Sequence, residues 1–129
     1  MNESNKSGMG FKILGFLILL MGLIHEFYTG EVWKMLVNTD PMIAWTFLYM
    51  YLSTGLAVIL CGFLLLFMAS QLKKGQPLAK FLSLSICAFL TLLGIGGVII
   101  MPTNPFAWLM LILAGFNVIL ILQYRSHFV

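Results

Sequence analysis

Four stretches of the chain are almost wholly apolar, at residues 10–28, 42–70, 81–101 and 105–124, and polar segments separate them. A helix rises about 1.5 Å per residue, so about 20 residues cross the hydrocarbon layer of a bilayer. The pattern therefore predicts an all-α fold: one domain over residues 1–129, built as an up-down bundle of four transmembrane helices. Residues 1–9 form a short polar tail, 29–41 a long loop at one end, 71–80 a basic loop at the other, and 102–104 a tight turn. Two helix starts are legible in detail. Thr39-Asp40-Pro41 and Thr103-Asn104-Pro105 each set a capping side chain before a proline, which is tolerated at the first helical position because its missing N–H had no partner there. The echo runs on through Trp45 and Trp108, which fits either two related hairpins or the same capping solution reached twice. Within the 29–41 loop, Glu31 to Val37 reads as a short surface helix, folded over the mouth or lying on the membrane, or as an apolar loop resting on lipid.

Composition sharpens this picture. The chain is 61% hydrophobic and 9% charged, with a mean hydropathy of +1.04, whereas a soluble domain carries roughly a quarter charged residues. In a soluble protein the net charge of +3 would suggest nucleic acid; here it is explained by topology and lipid headgroups, and no nucleic-acid partner is expected. Lys6, Lys12, Lys73, Lys74, Lys80 and Arg125 fall on one side of an up-down path, and Lys34 stands alone on the other with Glu26, Glu31 and Asp40. Basic residues favour the cytoplasmic side, so both termini are expected inside, in a bacterial or archaeal cytoplasmic (inner) membrane. Trp33, Trp45 and Trp108, with Tyr28, Tyr49 and Tyr51, gather toward the opposite interface as an aromatic belt would. The first apolar run has no small-residue cleavage site after it and is read as a retained helix. Cys61 and Cys87 lie inside apolar stretches with no metal-binding spacing and read as small buried hydrophobes.

Small residues mark the expected helix contacts. Gly15 and Gly22 are seven apart, as are Gly55 and Gly62, and Gly94, Gly96 and Gly97 thin the third span. Such spacing lines one helix face and lets a neighbour approach, within one chain or between two. His25 and Glu26 flank the Gly15/Gly22 face about a turn below the outer surface, where ionisable groups are costly unless paired, hydrated or functional. They are open to several readings: an interfacial pair reaching water or bonding to the outer loop, a proton-accepting pair, a metal site completed by Glu31 or Asp40, or a contact to a ligand headgroup. Asn117 sits mid-span on a face with Met110, Ala114 and Ile121, and an interhelical hydrogen bond to Ser53, Thr54 or Thr91 is expected of it. No nucleotide loop, Ser/His/Asp set, HExxH motif or membrane-buried arginine is present in the sequence.

The run Lys12-Ile13-Leu14-Gly15 to Gly22-Leu23-Ile24-His25, followed by Gly55 through Gly62-Phe63-Leu64-Leu65-Leu66, resembles the DoxX-like superfamily of small four-helix membrane proteins. That family opens its first helix with a basic residue, two glycines seven apart and a lysine, where this chain has His25; its second helix often carries an acidic residue between glycines, where this chain is apolar. The resemblance implies a four-helix bundle in a group that includes accessory subunits of quinone-linked redox complexes.

These features lead to an expectation of a non-catalytic accessory or assembly subunit. It would bind a membrane-protein partner or a lipophilic ligand at its outward mouth, through His25, Glu26, Glu31, Lys34, Asp40, Trp108 and Asn117. The two capped helix starts and Lys34 would favour an anionic headgroup there. No cofactor or metal is expected. Two other classes stay open: a homodimeric transporter or channel, and a membrane enzyme using His25 and Glu26 as an acid–base pair on a lipophilic or quinone-type substrate.

Overall fold

The computed structural model describes residues 3–123, apart from the side chains of residues 3–7 and 73. Lys6 and Lys73 as topology signals, and Tyr124, Arg125 and His127, lie outside what is described. Five helices follow one another: α1 (Glu3–Phe27), α2 (Thr29–Leu36), α3 (Pro41–Lys73), α4 (Pro77–Ile100) and α5 (Pro105–Gln123). There is no strand among the described residues. Four of the helices are long and apolar enough to cross a membrane.

The polar borders of the spans sit differently from the sequence expectation. The first helix begins near residue 3 rather than 10, because nothing in the polar segment breaks a helix. The basic 71–80 loop shrinks to residues 74–76. Gln71, Leu72 and Lys73 continue α3 until Gly75, whose φ of 70° is reached easily only without a Cβ, and Pro77 then opens α4. The two starts read from the sequence are built as expected. Asp40 Oδ1 accepts from Met42 N at 2.9 Å and Ile43 N at 3.3 Å, and Asn104 Oδ1 accepts from Phe106 N at 3.0 Å.

Glycines set how the spans meet. α1 and α3 run antiparallel so closely that a Cβ on Gly15 would lie 2.9 Å from Leu66 N, and one on Gly22 would lie 2.8 Å from Ile59 N. Gly62 faces the backbone of Leu19 across the same seam. Both seven-residue glycine pairs therefore pack within one chain. α4 and α5 form a second tight pair, with Gly94 and Gly97 against Leu111 and Ala107. Its polar clasp is fully buried: Ser83 Oγ donates to Asn117 Oδ1 at 2.9 Å, and Asn117 Nδ2 donates to Ser83 O at 3.0 Å. The Asn117 bond thus exists, but with Ser83 and not with Ser53, Thr54 or Thr91, because α5 lies against α4 along this length. Cys87 Sγ adds a contact to Ala114 O at 3.4 Å, and Cys61 and Cys87 are both buried free thiols.

α1 joins the two pairs by packing on α5 as well as on α3, while α3 and α4 touch over a short stretch. Gly10 lies beside Leu120, and His25 lies beside Phe106, so α1 and α5 are also antiparallel. The shared core holds Phe11, Ile18, Val58, Leu65, Leu72 and Leu90. The outer surface keeps large apolar side chains such as Phe16, Leu56, Phe63, Leu92 and Phe116 exposed, as lipid-facing helices do.

Candidate functional site

The last turn of α1 carries His25 and Glu26 inward, toward α3, at a point where α3 has no side chain. A Cβ on Gly55 would collide with Glu26 Oε1 and lie 2.8 Å from His25 Nδ1, so the pair occupies the space that glycine leaves. His25 is 9% exposed and the Glu26 side chain 20%. Their facing atoms, Nδ1 and Oε1, are 3.8 Å apart, beyond hydrogen-bond length, and neither has another partner. Buried polar atoms are nearly always paired, so this is the least satisfied place among the described residues, and Thr29 Oγ1 nearby shares the condition.

The ring of His25 is held on two sides. Tyr51 stacks on it with centroids 4.0 Å apart and planes 17° from parallel. Phe106, from the first turn of α5, meets it edge-on at 5.7 Å. Tyr51 also donates its hydroxyl to His25 O at 2.8 Å, adding to the bond that this carbonyl accepts from Tyr28 N at 3.2 Å in the last turn of α1. A side chain that reached outward to water would make none of these contacts. His25 thus belongs to the interior, while the Glu26 side chain stays one-fifth exposed at its edge.

Beside His25 opens a cavity of about 360 Å³, in the range of small-molecule pockets. Its walls come from the outset of α3 (Phe47, Met50, Tyr51, Thr54), the end of α4 (Leu93, Gly96, Gly97) and the start of α5 (Phe106, Ala107, Met110). It lies where α3 and α4 part. Apolar atoms dominate the lining, and most of the polar side chains on it are already engaged. Thr54 donates to Met50 O at 2.8 Å, Asn104 caps α5, and Tyr51 binds the end of α1. The imidazole is the exception. Gly96 leaves its stretch of wall bare, since a Cβ there would meet nothing within 4 Å.

The remaining residues singled out from the sequence do not converge here. Glu31 and Lys34 pair with each other at 2.7 Å on the exposed face of α2, as neighbours three apart on a helix do. Asp40 is exposed and spent on the cap of α3. Trp108 is half exposed and donates Nε1 to Pro102 O at 2.9 Å. Asn117 is closed inside the α4–α5 clasp. α2 is a helix, yet it leans on α3 through Trp33 and Trp45, with centroids 5.2 Å apart, and contributes nothing to the cavity wall. Among the described residues no group of three His, Cys, Asp or Glu side chains could hold a metal ion, so neither Glu31 nor Asp40 completes one with His25. Tyr51, Gly55, Gly96 and Phe106 enter the site instead. Tyr51 and Gly55 are one turn apart on the same face of α3, a spacing visible in the sequence.

Comparison with protein-family models, curated proteins and solved structures gives no match.

Proposed function

We propose that this chain is a non-catalytic membrane component that holds a lipophilic molecule in the cavity beside His25, as an accessory or assembly subunit of a membrane system. The observation that carries the reading is the cavity itself: about 360 Å³, apolar walls, and one imidazole unengaged at its edge. Binding sites for small lipophiles have this make-up, a largely apolar hollow with few placed polar groups. The lysine-rich loop and tail orient the bundle with both ends cytoplasmic by the positive-inside rule, so the cavity opens in the outer half of the membrane. The DoxX-like resemblance is consistent with an accessory role and adds no residue to the site.

The test compares wild-type protein with Gly96→Leu, purified side by side in detergent. A Cβ at 96 has no atom within 4 Å, so leucine there enters the hollow from its bare wall and takes up part of its volume. Mass spectrometry of the extracted lipophiles is expected to show a species near one per chain in wild type and its loss in the variant. Equal content in both proteins would refute the reading.

A further inference from the structure

The cavity beside His25 opens sideways. Leu92 and Ile100 of α4 and Met50 of α3 line it, and all three are largely exposed on the lipid-facing surface. A guest therefore comes from the bilayer, and the occupant it must displace is a lipid chain. In that setting apolar walls alone select nothing, because a hydrocarbon guest leaves surroundings as apolar as those it enters. Selection needs contacts that a lipid chain cannot return. The lining supplies two kinds. Four rings stand around the hollow: His25, Phe47, Tyr51 and Phe106. Three thioethers join them, from Met50, Met101 and Met110. Branched aliphatic side chains, Leu92, Leu93 and Ile100, are the minority.

An aromatic ring has a negative face and a positive edge, so whichever of these a lining ring turns to the hollow, an aromatic guest carries the complement. A thioether sulfur also makes a favourable contact with a ring, and methionine's three rotatable bonds let it reach one. A saturated guest receives neither. His25 contributes in either protonation state, as one more ring when neutral and as a cation for the guest's face when charged. From this, and resting on the lipophile-binding reading above, we infer that the cavity selects aromatic ring systems over saturated molecules of like outline. Its volume of about 360 Å³ lies at the small end for ligand pockets, which suits a compact ring system and not a two-chain lipid. The bare stretch of wall at Gly96 gives a flat guest a surface to lie on. No polar group is required of the guest, since Thr54, Asn104 and the Tyr51 hydroxyl are engaged within the protein.

The experiment offers two probes in equal amounts, 2-ethylnaphthalene and its fully hydrogenated counterpart 2-ethyldecalin, to the protein in detergent micelles. Wild type, Gly96→Leu and the triple variant Phe47→Leu/Met50→Leu/Met101→Leu are captured from the same mixture. Bound probe is counted by gas chromatography and mass spectrometry, with protein-free micelles as the baseline. The triple variant keeps the hollow apolar while removing one ring and two thioethers, all at positions that are partly exposed, so the buried core is untouched. Wild type is expected to take up the aromatic probe about tenfold over the saturated one, the worth of two ring or thioether contacts of ordinary strength. In the triple variant that ratio should fall severalfold, with uptake of the saturated probe unchanged. Equal uptake of the two probes by wild type, with both reduced in Gly96→Leu, overturns the aromatic inference and leaves the lipophile-binding reading standing. A ratio undiminished in the triple variant overturns the part assigned to the rings and thioethers. Uptake of both probes at the level of empty micelles, or indifferent to Gly96→Leu, overturns the two readings together. The wild-type ratio decides by itself should the triple variant fail to fold.

Discussion

Replacing Gly62 by alanine tests the seam on which the site is mounted. The new Cβ would fall on the backbone of Leu19, 2.7 Å from its Cα and also closing on its amide nitrogen. Ordinary contact begins near 3.4 Å, so α1 must retreat by roughly 0.7 Å or more at that level. A side chain could rotate away, but backbone cannot. Overpacking of this kind costs about 1–3 kcal/mol, against a gain of at most about 1 kcal/mol from alanine's better helix propensity. Gly96→Ala is the internal control, because it makes the same chemical change where no atom lies within 4 Å. It should be neutral or stabilising by up to about 1 kcal/mol. The two alanine variants should thus differ by about 2 kcal/mol in reversible unfolding, followed by circular dichroism as sodium dodecyl sulfate is titrated into mixed micelles. A Gly62→Ala protein as stable as Gly96→Ala would mean that α1 and α3 do not approach as described, and the placement of His25 over Gly55 would fall with it.

Two further outcomes separate the site from the scaffold. Gly55→Ala meets the ends of flexible side chains, Glu26 and His25, and not backbone; it should cost about 1 kcal/mol or less in the same unfolding assay, since rotamers can yield, while displacing His25 and lowering the lipophile content of the purified protein. Unaltered lipophile content would show that the site does not depend on the glycine. Asn117→Ala removes both hydrogen bonds to Ser83 and should destabilise by about 1–2 kcal/mol, given the modest worth of such bonds in membranes. In a double-mutant cycle with Ser83→Ala the losses should be less than additive; strict additivity would argue that the two side chains act separately.

The number of spans was legible because apolar runs of membrane length are hard to mistake, and Asp40 and Asn104 before proline marked two starts to the residue. The other borders were less so, since hydropathy registers where lipid would end and not where helical hydrogen bonding ends; Gln71 to Lys73 are polar and helical at once. Glycine spacing announced faces but not partners. Asn117 shows the difference, because its depth and its face with Met110 and Ala114 were readable, yet Ser83 depends on which helix lies beside α5. Charge clustering misled for a related reason. Glu31, Lys34 and Asp40 share one end of the bundle with His25, but a helix surface pair and a cap absorb them locally before any site can use them.

The place of the cavity follows from which small residues have neighbours. Along α1 and α3, glycines meet backbone and draw the helices together; along α4 and α5, Gly94 and Gly97 do the same with help from the Ser83–Asn117 clasp. Between α3 and α4 no such pairing exists, and the one glycine of α4 that turns from α5, Gly96, meets open space. Two tight pairs fastened along α1 and α5 must then part somewhere on the opposite side, and they part beside the end of α1 that carries His25. Position 25 is the one place on α1 that lines that gap among the described residues. A histidine backed by a glutamate and clamped by Tyr51 and Phe106 is a costly choice for a position that leucine could fill, and the cost is intelligible if the imidazole has something in the gap to bind.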